Sequence, residues 1–423
     1  MERLGIYIHI PFCLKKCKYC DFFSYAATDD VKLRYTEALI QEIKGYGAVI
    51  NAKKSVFSDE SEFPERVAEK EEKGFIGRLL GRGLSKNTSN YEVATIYIGG
   101  GTPSVMPGSS IKRILDAVCD TFHVDRTAPG LEITLEANPA TVTHEKLSEY
   151  LAAGVNRISV GLQSANDEEL ALLGRLHTYE DFLESYDMVR KAGFDNVNID
   201  IISALPGQTI NNYKNTLFRV LDLEPEHISS YSLIIEPGTP FHTLYGRNGR
   251  LVHELPDEDT ERKMYNLTVD TFAKAGYERY EISNFALPGK FSRHNTSYWR
   301  RAPYLGFGAG ASSFLENTRW KNTTDMRMYL ALTPRDIPRI RTEIEPVSKE
   351  DAMAETVYLG MRETRGISIK EFRKNFGTDI HTVYGPQISR HVRNKTMVED
   401  GDRLYLTERG LEVSNFVFSD FMP

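Results

Sequence analysis

Cysteine is scarce in this chain, with four among 423 residues. A disulfide-stapled fold needs paired cysteines spread through a short secreted sequence, so that class is excluded. Long apolar runs are missing as well. No stretch reaches the roughly 18 consecutive apolar residues of a membrane-spanning helix, so at most peripheral membrane contact is expected. The opening MERLGIYIHIPFC is too briefly apolar for a secretory signal and lacks a small-residue cleavage site. Positive charge is not in surplus: 52 Lys and Arg face 59 Asp and Glu, a formal charge of -7. Nucleic-acid partners, which demand clustered cations against phosphates, are therefore not expected. The reducing cytoplasm is the expected compartment, where thiols stay free to act as ligands.

What is present is an ordinary globular composition, 41% hydrophobic and 26% charged, in a chain long enough for two or three domains. Short β-branched and aromatic runs at 5–10, 94–101, 131–139, 157–164, 196–203 and 227–235 read as six strands. Helical spacing fills the gaps at 31–49, 109–122 and 143–154, and again between the later strands. Alternating βα units predict an α/β fold, a partial (β/α)6 barrel over 1–280 that is open at one side. Residues 50–90 are polar and turn-rich and exceed any crossover, so they form an insertion: a surface loop or a partner-binding element. The segment 281–346 is rich in aromatics, Gly and Arg and predicts a loop with short strands, a β extension of the barrel. From 347 to 423 the order helix, turn, helix, hairpin, helix predicts a small winged-helix-like α+β domain. Its helices are not notably basic, which favours packing or a partner over DNA.

Three of the four cysteines, Cys13, Cys17 and Cys20, fall in one short loop after the first strand. Zinc wants a second ligand pair farther along, but Cys119 stands alone in a helical run and reads as a small buried hydrophobe. His9, on the strand itself, reads as a core histidine. A redox pair at Cys17 and Cys20 leaves Cys13 unexplained. An iron–sulfur cube held by three thiolates uses all three and leaves one iron open to a small molecule.

The C-x3-C-x2-C spacing after a strand resembles the radical S-adenosylmethionine enzymes. YIHIPFC, YIGGGTPS, LEANP, NRISVGLQS, LGRLHT, LPGQT and HNTSYW resemble their coproporphyrinogen oxidase-like branch, and within it the HemW-type haem chaperones. The likeness runs over nearly the whole chain, the insertion apart. It implies a [4Fe-4S] cluster on Cys13, Cys17 and Cys20 whose open iron chelates the methionyl end of S-adenosylmethionine. The cofactor pair then supplies a 5′-deoxyadenosyl radical. One departure matters. Where the oxidases carry a fourth cysteine, this chain has Phe22.

Gly99, Gly100 and Gly101 let a ligand reach the backbone at the end of the second strand, with Thr102 following. Glu136 can accept both hydroxyls of a ribose. The resemblance assigns Glu136 that role. It adds Gln163, Arg175 and Asp200 as nucleotide contacts, with Tyr7 and Tyr19 beside the cluster; without it, Arg175 and Asp200 could be a structural ion pair. Whether one or two nucleotides bind is left open. The motif match points to haem on His294, Asn295, Tyr298 and Trp299, with Arg293, Arg300 and Arg301 for its propionates. The implied function is a haem chaperone serving apo-haemoproteins such as respiratory enzymes, with an external electron donor and homodimerisation as further expectations. Oxygen-independent coproporphyrinogen III oxidase and a haem-directed radical methyltransferase are the alternatives.

Overall fold

The structure is a computed structural model that describes residues 2–56, 91–333 and 336–423. Strands β1 (Glu2–Ile10), β2 (Tyr91–Gly100), β3 (Glu132–Ala137), β4 (Arg157–Gln163), β5 (Val197–Ser203) and β6 (His227–Ser232) lie side by side in chain order, all parallel. Between them run α1 (Asp29–Val56), α2 (Gly108–Phe122), α3 (His144–Ala152), α4 (Asp167–Leu173), α5 (Tyr179–Ala192) and α6 (Ile210–Leu221). Side-chain caps start these helices where the sequence places Thr or Asn: Thr143, Asn166, Thr178 and Thr209 each accept a backbone N–H. The expected insertion begins inside α1, which continues to Val56; from residue 57 to 90 it lies outside the described residues.

Strand alternation explains why the parallel sheet encloses a polar space. Ile6 and Ile8, Ile96 and Ile98, Ile133 and Leu135, Ile158, Ile199 and Ile201 face the helices and are fully buried. Each such side chain is worth about 1.5–3 kcal/mol. Their neighbours point to the opposite face: Tyr7 and His9, Thr95 and Tyr97, Thr134 and Glu136, Arg157 and Ser159, Asn198 and Asp200, His227 and Ser229. Fully buried parallel strands usually read as unbroken apolar runs. Here one face is polar because it lines a cavity.

The sheet does not close. Beyond β6 it ends on α7 (Pro240–Tyr245), α8 (Glu258–Lys274) and two antiparallel strands, β7 (Glu278–Arg279) and β8 (Asn284–Ala286). RHNTSYW, expected as loop and short strands, is instead a helix, α9 (Arg293–Trp299). The Ser292 side chain caps it, and Glu132 on β3 receives the backbone N–H groups of Arg293 and His294 at 2.9 and 3.0 Å. That tertiary carboxylate, remote in sequence, is what the local composition could not reveal. The other edge is extended by β9 (Tyr304–Phe307), parallel to β1, then antiparallel β10 (Ser312–Leu315) and β11 (Thr318–Asn322). After α10 (Met326–Leu330), β12 (Arg341–Pro346) completes a twelve-stranded sheet. Glu42 of α1 fastens this extension, accepting from Gly308 N (2.9 Å), Asn322 Nδ2 (2.7 Å) and Tyr329 Oη (2.6 Å).

The last part has its own core, with Val357, Phe372, Ile388, Leu404 and Phe418 at its centre. It comprises α11 (Lys349–Gly360), β13 (Ile367–Ser368), α12 (Ile369–Phe376), α13 (Ile380–Arg393), the hairpin β14 (Met397–Asp400) and β15 (Arg403–Leu406), then α14 (Glu408–Glu412) and α15 (Ser414–Ser419). The expected hairpin sits where the sequence put it, and β13 adds a third strand. Among the described residues no helix is long and apolar enough to cross a membrane.

Candidate functional site

A cavity of about 480 Å³ opens at the C-terminal ends of the parallel strands and runs down between them. Cys13, Cys17 and Cys20 line it from the loop between β1 and α1, all three as free thiols. Backbone bonds pin that loop: Cys13 N to Tyr25 O (3.1 Å), Gly101 N to Ile10 O (2.8 Å) and Lys18 N to Leu173 O (3.0 Å). Two thiols face donors, Thr102 Oγ1 at 3.4 Å from Cys13 Sγ and Arg175 Nη1 at 3.8 Å from Cys17 Sγ. Burial, then the two neighbouring thiols, push the Cys20 thiol up. Bare thiolates crowded together repel, and soft iron coordination is what removes that cost. Among the described residues no three ligand side chains converge on a single ion. Three free thiols on one cavity wall, two of them facing hydrogen-bond donors, nonetheless fit the donor set of a [4Fe-4S] cluster, which spreads its thiolates over separate irons.

Glycine is required beside them at two positions. A Cβ on Gly101 would stand 2.7 Å from Phe12 O and 3.0 Å from Cys13 Sγ. Gly100 has φ +114°, and a Cβ there would strike the His9 ring at 2.6 Å. Gly99 does not line the cavity; a side chain there would press on Tyr97 and Glu136, so it makes room for the carboxylate. Glu136 accepts from Tyr97 Oη (2.7 Å) and Gly100 N (3.2 Å), and burial holds its carboxyl up at about 7. Asp200 accepts from Ser159 Oγ and Asn198 Nδ2, both at 2.8 Å. Arg175 reaches Asn138 Oδ1 and Gly161 O (2.7 Å). The two are not each other's ion-pair partners. Gln163 ends β4 at φ 72° beside a break in register with β5, a left-handed conformation uncommon for a residue with a side chain. Thr102, Tyr19, Gln163 and Asn295 complete this lining, Tyr19 packing on Phe241 with ring centroids 6.3 Å apart.

Tyr7 is placed elsewhere. Its hydroxyl meets His9 Nδ1 at 3.0 Å, and it lines a second cavity of about 510 Å³ together with Tyr298 and Trp299. Phe22, Phe23, Tyr304 and Phe314 add aromatic wall, while Arg301, Arg319 and Lys321 add positive charge. Asp21 and Phe22 belong to both cavities, so the thiol loop is the partition between them. His294 lines neither. It is 1% exposed, its Nδ1 meets Thr95 Oγ1 and its Nε2 meets Tyr298 Oη, both at 2.8 Å. Its ring stacks on Tyr97 at 5.0 Å, and burial lowers its pKa to about 3, so the imidazole is neutral. The arginines expected for propionates are engaged: Arg293 on Gly130 O, Arg300 on Glu363 (2.8 and 2.7 Å), Arg301 on Glu355 (2.7 Å). Sequence reasoning missed Arg157, Ser159 and Asn198 on the cavity wall; the polar alternation of β4 and β5 was the available signal.

Fold and site define a radical S-adenosylmethionine protein with a coproporphyrinogen-oxidase-type C-terminal part. The Radical SAM superfamily model matches residues 82–220 and the HemN C-terminal domain model residues 347–413. Full-length relatives are more specific. The chain is 35% identical to "Heme chaperone HemW" of Lactococcus lactis over 98% of its own length and 96% of that protein, and 33% identical to that of Bacillus subtilis over 98% of both. This chain belongs to the HemW family. Among solved structures it is similar to coproporphyrinogen III oxidase (HemN) from Escherichia coli, with a TM-score of 0.76 over 99% of this chain and 90% of that one. At 20% identity this likeness concerns the fold. The family implies a [4Fe-4S] cluster and S-adenosylmethionine.

Proposed function

We propose that the chain is a cytoplasmic haem carrier. In this reading it holds a [4Fe-4S] cluster on Cys13, Cys17 and Cys20, binds S-adenosylmethionine next to it, and hands haem to apo-haemoproteins, respiratory enzymes among them. The cluster, reduced by an external donor, supplies the electron for the nucleotide's radical chemistry when both are bound. Gly100, Gly101 and Thr102 present backbone and hydroxyl groups to the methionyl end, Glu136 takes the ribose hydroxyls, and Gln163, Arg175, Asp200 and Tyr19 complete the nucleotide's surroundings. The division at 280 and 346 into barrel, extension and C-terminal domain belongs to the same proposal.

One observation carries the haem reading. Tyr298 and Trp299 wall a cavity that is aromatic on its faces and shares Phe22 with the thiol cavity. It carries Lys321 together with Arg301 and Arg319, two arginines that share the single carboxylate of Glu355 and so keep a net positive charge. Flat apolar faces and cations are what a macrocycle with two carboxylates requires. Asn295 faces the thiol cavity from the same helix. His294 lines neither cavity, so for its Nε2 to reach iron the Tyr298 ring that separates it from the aromatic cavity would have to release it, with Thr95 holding Nδ1 in place. Phe22, which cannot replace a thiol, speaks against the oxidase.

Anaerobic titration of the cluster-reconstituted chain with haem tests this. One equivalent of haem is expected, with uptake lost or weakened at least ~10-fold in His294→Ala. Coproporphyrinogen III should stay unconverted under reducing, anoxic conditions. Its oxidative decarboxylation at a steady rate would overturn the carrier reading in favour of the oxidase.

A further inference from the structure

Thr95 and Tyr97 lie two residues apart on β2 and so share its polar face. Both touch His294. Thr95 Oγ1 meets its Nδ1 at 2.8 Å, and the Tyr97 ring stacks on the imidazole, with centroids 5.0 Å and planes 24° apart. Tyr97 also stacks on Tyr7, at 6.3 Å and 27°. Its hydroxyl runs the other way, into the thiol cavity, where it donates to Glu136 Oε1 at 2.7 Å. This pair is enclosed: a Cβ on Gly99 would stand 2.9 Å from the Tyr97 ring and 3.1 Å from the Glu136 carboxyl. An unbroken series of contacts therefore leads from Glu136 through Tyr97 and His294 to Tyr298, in the wall of the aromatic cavity.

The two ends of this series make opposing demands on it. Iron needs the Nε2 lone pair of His294, which the Tyr298 hydroxyl occupies at 2.8 Å. To leave Tyr298 the imidazole must turn about its Thr95 contact, and the Tyr97 ring lies flat against it. That ring is held by its hydroxyl on Glu136, whose other oxygen takes Gly100 N at 3.2 Å. Two ribose hydroxyls arriving at this carboxylate compete with Tyr97 for Oε1. We infer that Tyr97 is a positioning residue that couples the nucleotide to the cargo. Without nucleotide, its bond to Glu136 keeps His294 on Tyr298; a ribose at Glu136 loosens the ring and frees His294 for haem iron. The inference rests on reading Glu136 as the ribose acceptor and His294 as the haem ligand. Both ligands favour the released arrangement, one by taking Glu136 and the other by taking Nε2, so each shifts the balance for the other. Such coupling is reciprocal and has one magnitude.

Tyr97→Phe keeps the ring and deletes the hydroxyl. Cluster-reconstituted, full-length wild type and variant are titrated with haem, with and without S-adenosylmethionine, and with S-adenosylmethionine, with and without haem. In wild type each ligand should tighten the other by the same factor, at least ~5-fold. In Tyr97→Phe each ligand alone should bind at least ~5-fold more tightly than to wild type, and the coupling factor should fall to about 1. A merely structural tyrosine would instead weaken both ligands, and that result overturns the inference. So does haem binding to wild type that ignores the nucleotide. A second readout needs no haem: modification of the His294 imidazole by diethyl pyrocarbonate, located by mass spectrometry. The nucleotide should speed it at least ~5-fold in wild type, whereas in Tyr97→Phe it should be fast from the start and indifferent to the nucleotide. Wild type that takes up no haem but shows this acceleration loses the carrier reading and keeps the coupling. Wild type that takes up haem while His294 modification ignores the nucleotide keeps the carrier reading and loses the coupling. If Tyr97→Phe does not fold, Tyr97→Leu, which removes the same hydroxyl, takes its place.

Discussion

At the scale of single residues, Glu136 does two jobs that pull against each other. Burial raises its folded pKa to about 7 from an ordinary 4.5, against the hydrogen bonds from Tyr97 and Gly100 that favour the charge. A carboxyl raised in the fold adds stability that is fully present below about 4.5 and is lost as pH climbs through about 7. A carboxylate facing two ribose hydroxyls, by contrast, accepts best when ionised. The melting temperature of the ligand-free chain should therefore lose Glu136's share between pH 5 and pH 8, while S-adenosylmethionine affinity rises over the same range. In Glu136→Gln both trends should flatten, with affinity at pH 8 down by at least ~10-fold. Isothermal titration at pH 6, 7 and 8 checks it, and a wild-type affinity independent of pH would contradict the assignment.

At the scale of elements, α9 is where sequence and structure part company. The thiol loop was legible because its chemistry is local: three cysteines, the glycines after β2 and LEANP each carry their meaning within a few residues. The six strands and most helices were legible for the same reason, through alternation and capping residues. The state of α9 depends instead on Glu132, far away on β3, which holds its first two N–H groups. Tyr7 lines the aromatic cavity rather than the thiol one, because strand parity gives the face of the sheet but not which of two cavities that face meets. Arg157 went unremarked because the polar alternation of NRIS gives the face of the strand but not that this face lines a cavity. Asn295 reaches the thiol cavity while Tyr298 and Trp299 reach the aromatic one, so this seven-residue helix adjoins both. Glu132→Gln leaves one acceptor where two served, at a cost of about 1–3 kcal/mol. Nucleotide affinity and haem uptake should weaken together in this variant. A variant losing only one of them would show that α9 does not join the two cavities.

At the scale of the molecule, the C-terminal part closes over the aromatic cavity through ion pairs. Glu355 receives Arg301 from the barrel side and Arg319 from β11, and Arg300 bonds Glu363 through two nitrogens. The Arg362 guanidinium lies over the Trp299 ring, 4.2 Å from its centroid, so the one part of the chain caps the motif helix of the other. The scarcity of tryptophan makes this arrangement measurable. The chain has two, Trp299 on the cavity wall and Trp320, 4% exposed, on the neighbouring β11. Haem absorbs where tryptophan emits, so haem seated against Trp299 should quench nearly all its fluorescence by energy transfer. With Trp320→Phe, the remaining emission reports on Trp299 alone. Stoichiometric haem should extinguish it, and Arg362→Ala should shift it to the red before haem is added, because the ring loses its cover. Lys321→Ala should weaken quenching at a given haem concentration, since a cation on the cavity wall is gone, whereas haem dimethyl ester should be indifferent to that change. Haem that binds with full stoichiometry yet leaves Trp299 bright would move the cargo out of this cavity and onto another face of the barrel.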